Sequence, residues 1–307
     1  MLAPRILVVG SANMDLVVRA PRIPVPGETV LGGSFVRVRG GKGANQAVAC
    51  ARLGAETFML GRVGRDAFGE ELVAGLEADG VRCDYVVRDE AASGIAVIIV
   101  DESGENAIVV APGANAAMTP ADVARLPDLA SFDAVLLQLE VPLSVVEAAL
   151  DAASAAGVLT VLDAGPPTVL AAEIVRKASV LSPNHTEAAA ILGQPSHAVL
   201  PPEEMAARLL ELGAQKVVLK LGAEGALAAW PGGMERVPAF AVDPVDTTGA
   251  GDAFTAALAV SLAEGKDLPT ATRVACAAGA LATTVFGAAP SMPTREALTA
   301  FMHSHGC

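Results

Sequence analysis

Short apolar runs closed by Gly, Pro, Asn or Asp recur along the chain: Ile6–Val9, Phe58–Leu60, Val135–Leu139, Leu159–Leu162, Val180–Leu181 and Val217–Leu221. Runs of this length without polar alternation read as strands buried on both faces. Between most of them lie Ala/Leu/Glu-rich stretches of helical spacing: Ala44–Leu53, Phe68–Ala78, Leu143–Ala156, Glu187–Leu192, Pro202–Leu212 and Ala253–Ala263. The alternation predicts an α/β fold, a central, mostly parallel sheet flanked by helices on both faces.

Two regions break the rhythm. Residues 15–39 hold strand-like pieces, Leu16–Val18, Thr29–Leu31 and Phe35–Val38, with Pro and Gly between them and no helix. Residues 95–110 read as a hairpin, Ile95–Val100 and Ala107–Val110 around the polar turn Asp101–Asn106. Together they predict a small antiparallel sheet from discontinuous segments. Its apolar face needs a ligand or a second copy of the chain to cover it, so a lid that also serves as a homodimer contact is expected.

Composition narrows the function. A chain of 307 residues and 30.9 kDa is large enough to fold without disulfides, and it is read as a single domain spanning 1–307. The net charge of −13, from 34 acidic against 21 basic side chains, argues against a nucleic-acid partner, which needs clustered Lys and Arg. Cys50, Cys83, Cys276 and Cys307 are widely spaced with no CxxC pair, and are expected to be free thiols in a reducing compartment. No leader-like start and no apolar stretch of about 18 residues stands out, so a cytoplasmic protein without membrane contact is expected.

Four segments carry candidate chemistry, each with a plain alternative. In Asp246-Thr-Thr-Gly-Ala-Gly-Asp252 two glycines lead into an apolar helix, which makes an anion cradle of unpaired N–H groups beside an acid; a capping Asp explains the acid equally well. Gly40-Gly-Lys-Gly-Ala-Asn-Gln46 is another glycine turn feeding a helix. Val36 and Gly43 stand where a Walker A loop needs Gly and Ser or Thr, so this is either a holder for a hydroxyl-rich ligand or a tight turn with a solvated Lys. Asn13 and Asp15 follow the first strand, where open α/β sheets bind ligands and where turn formers also gather. Asn184 and Glu187 are spaced either as oxygen ligands for a hydrated Mg²⁺ or as a capping box. His303-Ser304-His305 reads as a frayed tail.

In this order the segments resemble the ribokinase-like sugar and nucleoside kinase family, over nearly the whole chain. Residues 246–252 resemble its C-terminal signature and residues 40–47 its N-terminal one. Gly10-Ser-Ala-Asn-Met-Asp15, Pro26-Gly-Glu-Thr29, Gly41–Gln46, Gly104-Glu-Asn106 and Gly113-Ala-Asn115 are most similar to the ribose-phosphorylating members. The resemblance implies a ribokinase-like fold and ATP-dependent phosphorylation of D-ribose at O5. By it, Asp252 is the catalytic base, and the amides of Gly249, Ala250 and Gly251 form the anion hole. Asn13, Asp15, Gly41, Lys42, Asn45 and Glu140 match sugar-contacting positions. Asn184 and Glu187 match positions near Mg²⁺ and the ATP phosphates, and Lys220, Gly222 and Gly251 match the nucleotide side. Asp246, with Thr248, Ala282, Val285, Gly287 and Ser291, matches a loop holding an activating K⁺.

Two positions depart from the family wording. Asp163, in Leu162-Asp-Ala-Gly-Pro166, replaces an Asn, and Lys220 stands where a Thr is common. Another sugar or nucleoside substrate of the same family, fructokinase-like or nucleoside kinase, is the alternative. A sugar sensor without catalysis is the reading from a different class, and the intact Asp252 with its two glycines speaks against it.

Overall fold

The computed structural model describes residues 3–195 and 200–306. In chain order the strands are β1 (Arg5–Val9), β2 (Asn13–Arg19), β3 (Phe35–Gly40), β4 (Glu56–Gly64), β5 (Arg82–Asp89), β6 (Gly94–Val100), β7 (Asn106–Ala111), β8 (Ala134–Leu137), β9 (Leu159–Asp163), β10 (Val180–Ser182), β11 (Val217–Lys220), β12 (Ala226–Trp230) and β13 (Gly233–Val237). Nine of them form one sheet in the order β13-β12-β11-β10-β9-β8-β1-β4-β5, parallel from β5 to β11, with β12 and β13 antiparallel at one edge. The ribokinase-like architecture expected from the sequence is the one observed.

Helices cover both faces, which is why the strand runs lack polar alternation. Along β1, Ile6 and Val8 belong to the core on one face and Leu7 and Val9 to the core on the other, all without exposure. Each such side chain contributes about 2 kcal/mol through burial. The Ala250–Ala263 helix is buried from Asp252 to Ser261 and packs between the Lys42–Arg52 and Leu268–Ala282 helices. A helix apolar on all sides belongs inside. Cys50, Cys83 and Cys276 are free thiols; Cys307 lies outside the described residues.

β1 neighbours both β4 and β8, so the chain leaves β1 in one direction and later returns on its other side. Such a reversal opens a crevice at the carboxyl ends of the strands. Ser11 and Asn13 follow β1, Gln138 and Glu140 follow β8, Asp163 ends β9, Asn184 follows β10 and Lys220 ends β11. The candidate residues therefore stand in a row along one edge of the sheet.

The second sheet has the order β3-β2-β6-β7 and corrects two expectations. β2 and β6 run parallel, whereas an all-antiparallel sheet was expected. Both leave from the carboxyl ends of parallel strands, β1 and β5, and so travel in the same direction; β3 and β7 return antiparallel beside them. Thr29–Leu31 forms no strand: the segment projects into solvent, with Leu31 89% exposed, between the turn from Glu28 N to Val25 O at 3.1 Å and the bond from Gly33 N to Arg19 O at 2.7 Å. The expected frayed tail is also corrected, because Arg295–Ser304 is helical and the His305 ring lies 4.4 Å from that of Phe301.

Candidate active site

Close backbone approach explains the first glycine cluster. Gly41 has φ 90, and a β-carbon on it would lie 2.7 Å from the Asn13 amide nitrogen. One on Gly43 would lie 2.5 Å from the Ser11 nitrogen. The start of the Lys42–Arg52 helix is thereby pressed onto the loop after β1, with Ala44 N donating to Ser11 O at 2.8 Å. Glu140 joins the same corner, its Oε2 accepting from Lys42 N at 3.0 Å and Ser11 Oγ at 2.5 Å. Asn13 is held from behind, because Asn115 Nδ2 donates to its Oδ1 at 2.8 Å.

Asp252 lies on the first turn of the Ala250–Ala263 helix, behind Gly249 at φ 80. Its Oδ2 accepts from Asn45 Nδ2 at 2.8 Å and its Oδ1 from Gln46 Nε2 at 3.0 Å. Asn45 and Gln46 belong to the first glycine motif, so the two signatures meet through these bonds. Burial raises the proton affinity of Asp252, Lys42 opposes that shift, and the charge of Asp163 adds to it. A carboxylate at a helix start would be a weak base; here its surroundings make it a stronger one. Ala250 N donates to Thr247 O at 3.2 Å, so one of the three expected anion-hole amides is engaged within the turn. Asn45 Oδ1 is buried without a hydrogen-bond partner among the described residues.

The opposite end holds the remaining charges. Asp163 Oδ1 accepts from Lys220 Nζ at 3.2 Å, and Lys220 Nζ lies 3.7 Å from Glu187 Oε2. Asn184 and Glu187 form a true capping box, each accepting from the other's backbone at 2.9 and 2.7 Å. A methyl group built on Gly165 would lie 2.7 Å from Glu187 Oε1 and 2.9 Å from Lys42 Nζ, and one on Gly251 would lie 3.9 Å from Lys220 Nζ. Burial opposes the charge of Lys42, but Asp252, Asp163, Glu140 and Glu187 outweigh it and hold the ammonium firmly ionised. Gly222, with φ 59, starts the turn after β11 and has open space on its Cβ side.

The expected cation loop is assembled by Asp246. Its Oδ1 accepts from Thr248 N and its Oδ2 from Gly287 N, both at 2.9 Å. Val285 N donates to Ala282 O at 3.2 Å, and Ser291 N donates to Gly287 O at 3.3 Å, while the Ser291 hydroxyl turns to Ala288 O at 2.8 Å. Both Asp246 oxygens thus accept from main-chain N–H groups, and the carbonyls of Ala282 and Gly287 already take one hydrogen bond each, leaving a second lone pair on each of these oxygens.

Several participants carried no functional reading in the sequence. Gln138 Nε2 donates to Gln46 Oε1 at 2.6 Å, and Thr255 Oγ1 donates to Asp163 Oδ2 at 2.8 Å. The available signals were a lone amide inside the apolar run Val135–Leu139, and a Thr one turn after Asp252 on a helix that is mostly apolar.

Asp15 supplies a test that needs no ligand. Burial, then Glu140 and Asp252, push its carboxyl from 3.8 to about 7. A raised folded-state value means that the folded form binds the proton more tightly, so this contribution to stability is full below the unfolded value and is lost as pH rises toward 7. Asp15→Asn is expected to stabilise the protein by about 2 to 4 kcal/mol at pH 8 and to change little at pH 4. Urea unfolding at the two pH values checks this, and an equal effect at both refutes it.

A buried carboxylate beside a helix-start amide cradle, with Asp15 and Glu140 on one side and Lys220 on the other, is an arrangement that suits phosphoryl transfer to a hydroxyl. Residues 3–295 match the model of the pfkB family carbohydrate kinases, and the chain belongs to that family. It is 43% identical over 295 residues to the ribokinase of Bacillus subtilis (strain 168), covering 95% of this chain and 97% of that one. Against the solved structure of Arabidopsis thaliana ribokinase complexed with ribose and ATP, the TM-score is 0.89 at 36% identity, covering 98% of this chain and 99% of that one. The deoxyribokinase of Salmonella typhi is 33% identical over 300 residues, covering 97% of this chain and 98% of the relative.

Proposed function

We propose that this chain transfers the γ-phosphoryl group of ATP to O5 of D-ribose, with Asp252 as the base. The observation that carries the reading is the Asp252 carboxylate, buried, raised in proton affinity and oriented on both oxygens by Asn45 and Gln46 at the start of a helix. Asp15, Glu140 and Asn13 accept hydrogen bonds from the sugar hydroxyls, and the unpartnered Asn45 Oδ1 accepts another. Gly41 brings main chain against the sugar, where a side chain would collide. Asp252 then takes the proton of the primary hydroxyl as it attacks phosphorus. Main-chain N–H groups of Gly249, Ala250 and Gly251 stabilise the charge on the transferring group, and Ala250 gives up its turn hydrogen bond to do so. Lys42, beside Asp252 and Glu187, offsets charge between sugar and phosphate. Lys220 and Gly222 line the nucleotide side.

At the phosphate end Asp163 and Glu187 offset the charges of Lys220 and Lys42, so the polyanion of ATP would draw on metal charge as well. Asn184 and Glu187 spend oxygens on the capping box and would hold Mg²⁺ through water, where it supplies charge neutralisation to the phosphates. K⁺ in the loop of Asp246, Thr248, Ala282, Val285, Gly287 and Ser291 would brace the turn that carries the anion hole. Activity in K⁺ is expected to exceed that in Na⁺ several-fold, and equal rates would remove the cation from the reading.

ADP release measured over D-ribose, 2-deoxy-D-ribose, D-fructose, adenosine and inosine tests the substrate. D-Ribose is expected to have the highest kcat/KM; another compound ranking above it refutes the assignment.

The lid supports a homodimer. Val36, Ile108 and Val110, on one face of its two edge strands, are between 44% and 53% exposed, apolar area that a second copy would cover. Light scattering is expected to find a dimer that becomes a monomer in Ile108→Glu; a wild-type monomer would refute this contact. Among the described residues no helix is long and apolar enough to cross a membrane.

A further inference from the structure

Asp163 is fully buried at the end of β9, between the two halves of the site, and touches neither the sugar nor the phosphoryl group in the proposed reaction. We propose that Asp163, with Lys220 as its counter-ion, is a positioning residue that holds the catalytic carboxylate of Asp252 through the shared side-chain amide of Gln46. The inference rests on the kinase reading, which makes Asp252 the base.

The geometry is a bridge. Gln46 Nε2 has two hydrogens and two acceptors, Asp163 Oδ2 at 3.1 Å and Asp252 Oδ1 at 3.0 Å. Gln138, donating to Gln46 Oε1 at 2.6 Å, decides which end of the amide faces the acids. With that end fixed, a change at Asp163 is felt at Asp252 through one rigid group.

Asp163 accepts four donors: Gln46 and Thr255 on Oδ2, and Gly165 N at 3.1 Å with Lys220 at 3.2 Å on Oδ1. Only a carboxylate accepts on both oxygens. An Asn there would aim its own N–H₂ at donors and leave the Lys220 ammonium with Glu187 alone, at 3.7 Å. Removing Lys220 instead leaves a buried negative charge beside Asp252. Each residue therefore needs the other. The charged groups facing Asp252 are Lys42 from the Lys42–Arg52 helix, Asp15 from β2 and Asp163 from β9; those facing Asp163 are Lys220 from β11, Lys42 and Asp252.

The test is the pH profile of kcat/KM for the sugar at saturating ATP in wild type, Asp163→Asn, Lys220→Thr and the double variant. Each single change is expected to lower kcat/KM by about 10- to 100-fold. The acid limb should move in opposite directions, to lower pH in Asp163→Asn, which takes a negative charge from beside the base, and to higher pH in Lys220→Thr, by about one unit each. The double variant should return the limb and recover to within about fivefold of wild type, since a Thr hydroxyl can accept from the Asn amide. A purely structural pair would leave the limb in place. Unmoved limbs in both single variants, or a double variant no better than the worse single one, overturn the proposal. Asp252→Asn measured alongside separates the failures: full turnover in that variant removes the base and the mechanism above, whereas an impaired Asp252→Asn with unmoved limbs removes the role of Asp163 alone.

Discussion

Asp252→Asn is expected to lower kcat by about 10²- to 10⁴-fold while changing ATP affinity by less than about threefold. The substitution keeps size and position but removes the proton acceptor. The introduced amide would offer one oxygen to the two side-chain amides of Asn45 and Gln46, so one of those contacts becomes donor against donor. The cost to folding is about 1 to 3 kcal/mol, small enough to leave a folded protein for measurement. Steady-state kinetics with calorimetric ATP titration distinguishes the outcomes. Turnover near that of wild type would take Asp252 out of the chemistry, and a parallel loss of ATP binding would make the defect one of structure.

Lys42→Met is expected to be the most destabilising single change in the site, and to abolish measurable turnover. Lys42 is the cation that Asp252, Asp163, Glu140 and Glu187 share. Without it those carboxylates face one another in a buried crevice with Lys220 as the nearby ammonium, a situation that costs about 3 to 5 kcal/mol. The loss depends on pH with a definite sign. Burial already raises the Asp252 carboxyl and Lys42 pulls it down, so without the ammonium it titrates higher still in the folded state, the folded form takes up a proton as pH falls, and stability lost at pH 8 is partly regained near pH 5.5. Chemical denaturation of both proteins at the two pH values checks this; a deficit that is the same at both would mean that Lys42 acts by packing alone.

Much of the fold was legible because the strands of a doubly covered sheet are written as uninterrupted apolar runs. Leu159–Leu162 and Leu143–Ala156 appear in the structure almost residue for residue. What escaped notice lay at the edges. β5, Arg-Cys-Asp-Tyr-Val-Val-Arg-Asp, is an edge strand whose charged positions hide its apolar ones, and β12 and β13 form a hairpin of two short strands, the first rich in Ala and the second carrying Glu and Arg. β4 runs on past Leu60 because Arg62 is neutralised by Asp89 at 2.5 Å and Asp122 at 2.8 Å, partners 27 and 60 residues away that no local pattern announces.

The sequence by itself determined the alternation of strands and helices, the two glycine turns and the acid that follows the second, because those depend on local backbone freedom and on periodicity. Tertiary structure alone decided that Asn45 and Gln46 grip Asp252 from more than 200 residues away, that β2 and β6 run parallel, and that Asp163 and Lys220 are partners. A hydrogen bond or ion pair depends on distances of about 3 Å between atoms, which the crossing of distant strands sets. The basicity of Asp252 belongs to the same class, since burial and the neighbouring charges of Lys42 and Asp163 exist only once the sheet has brought their strand ends together.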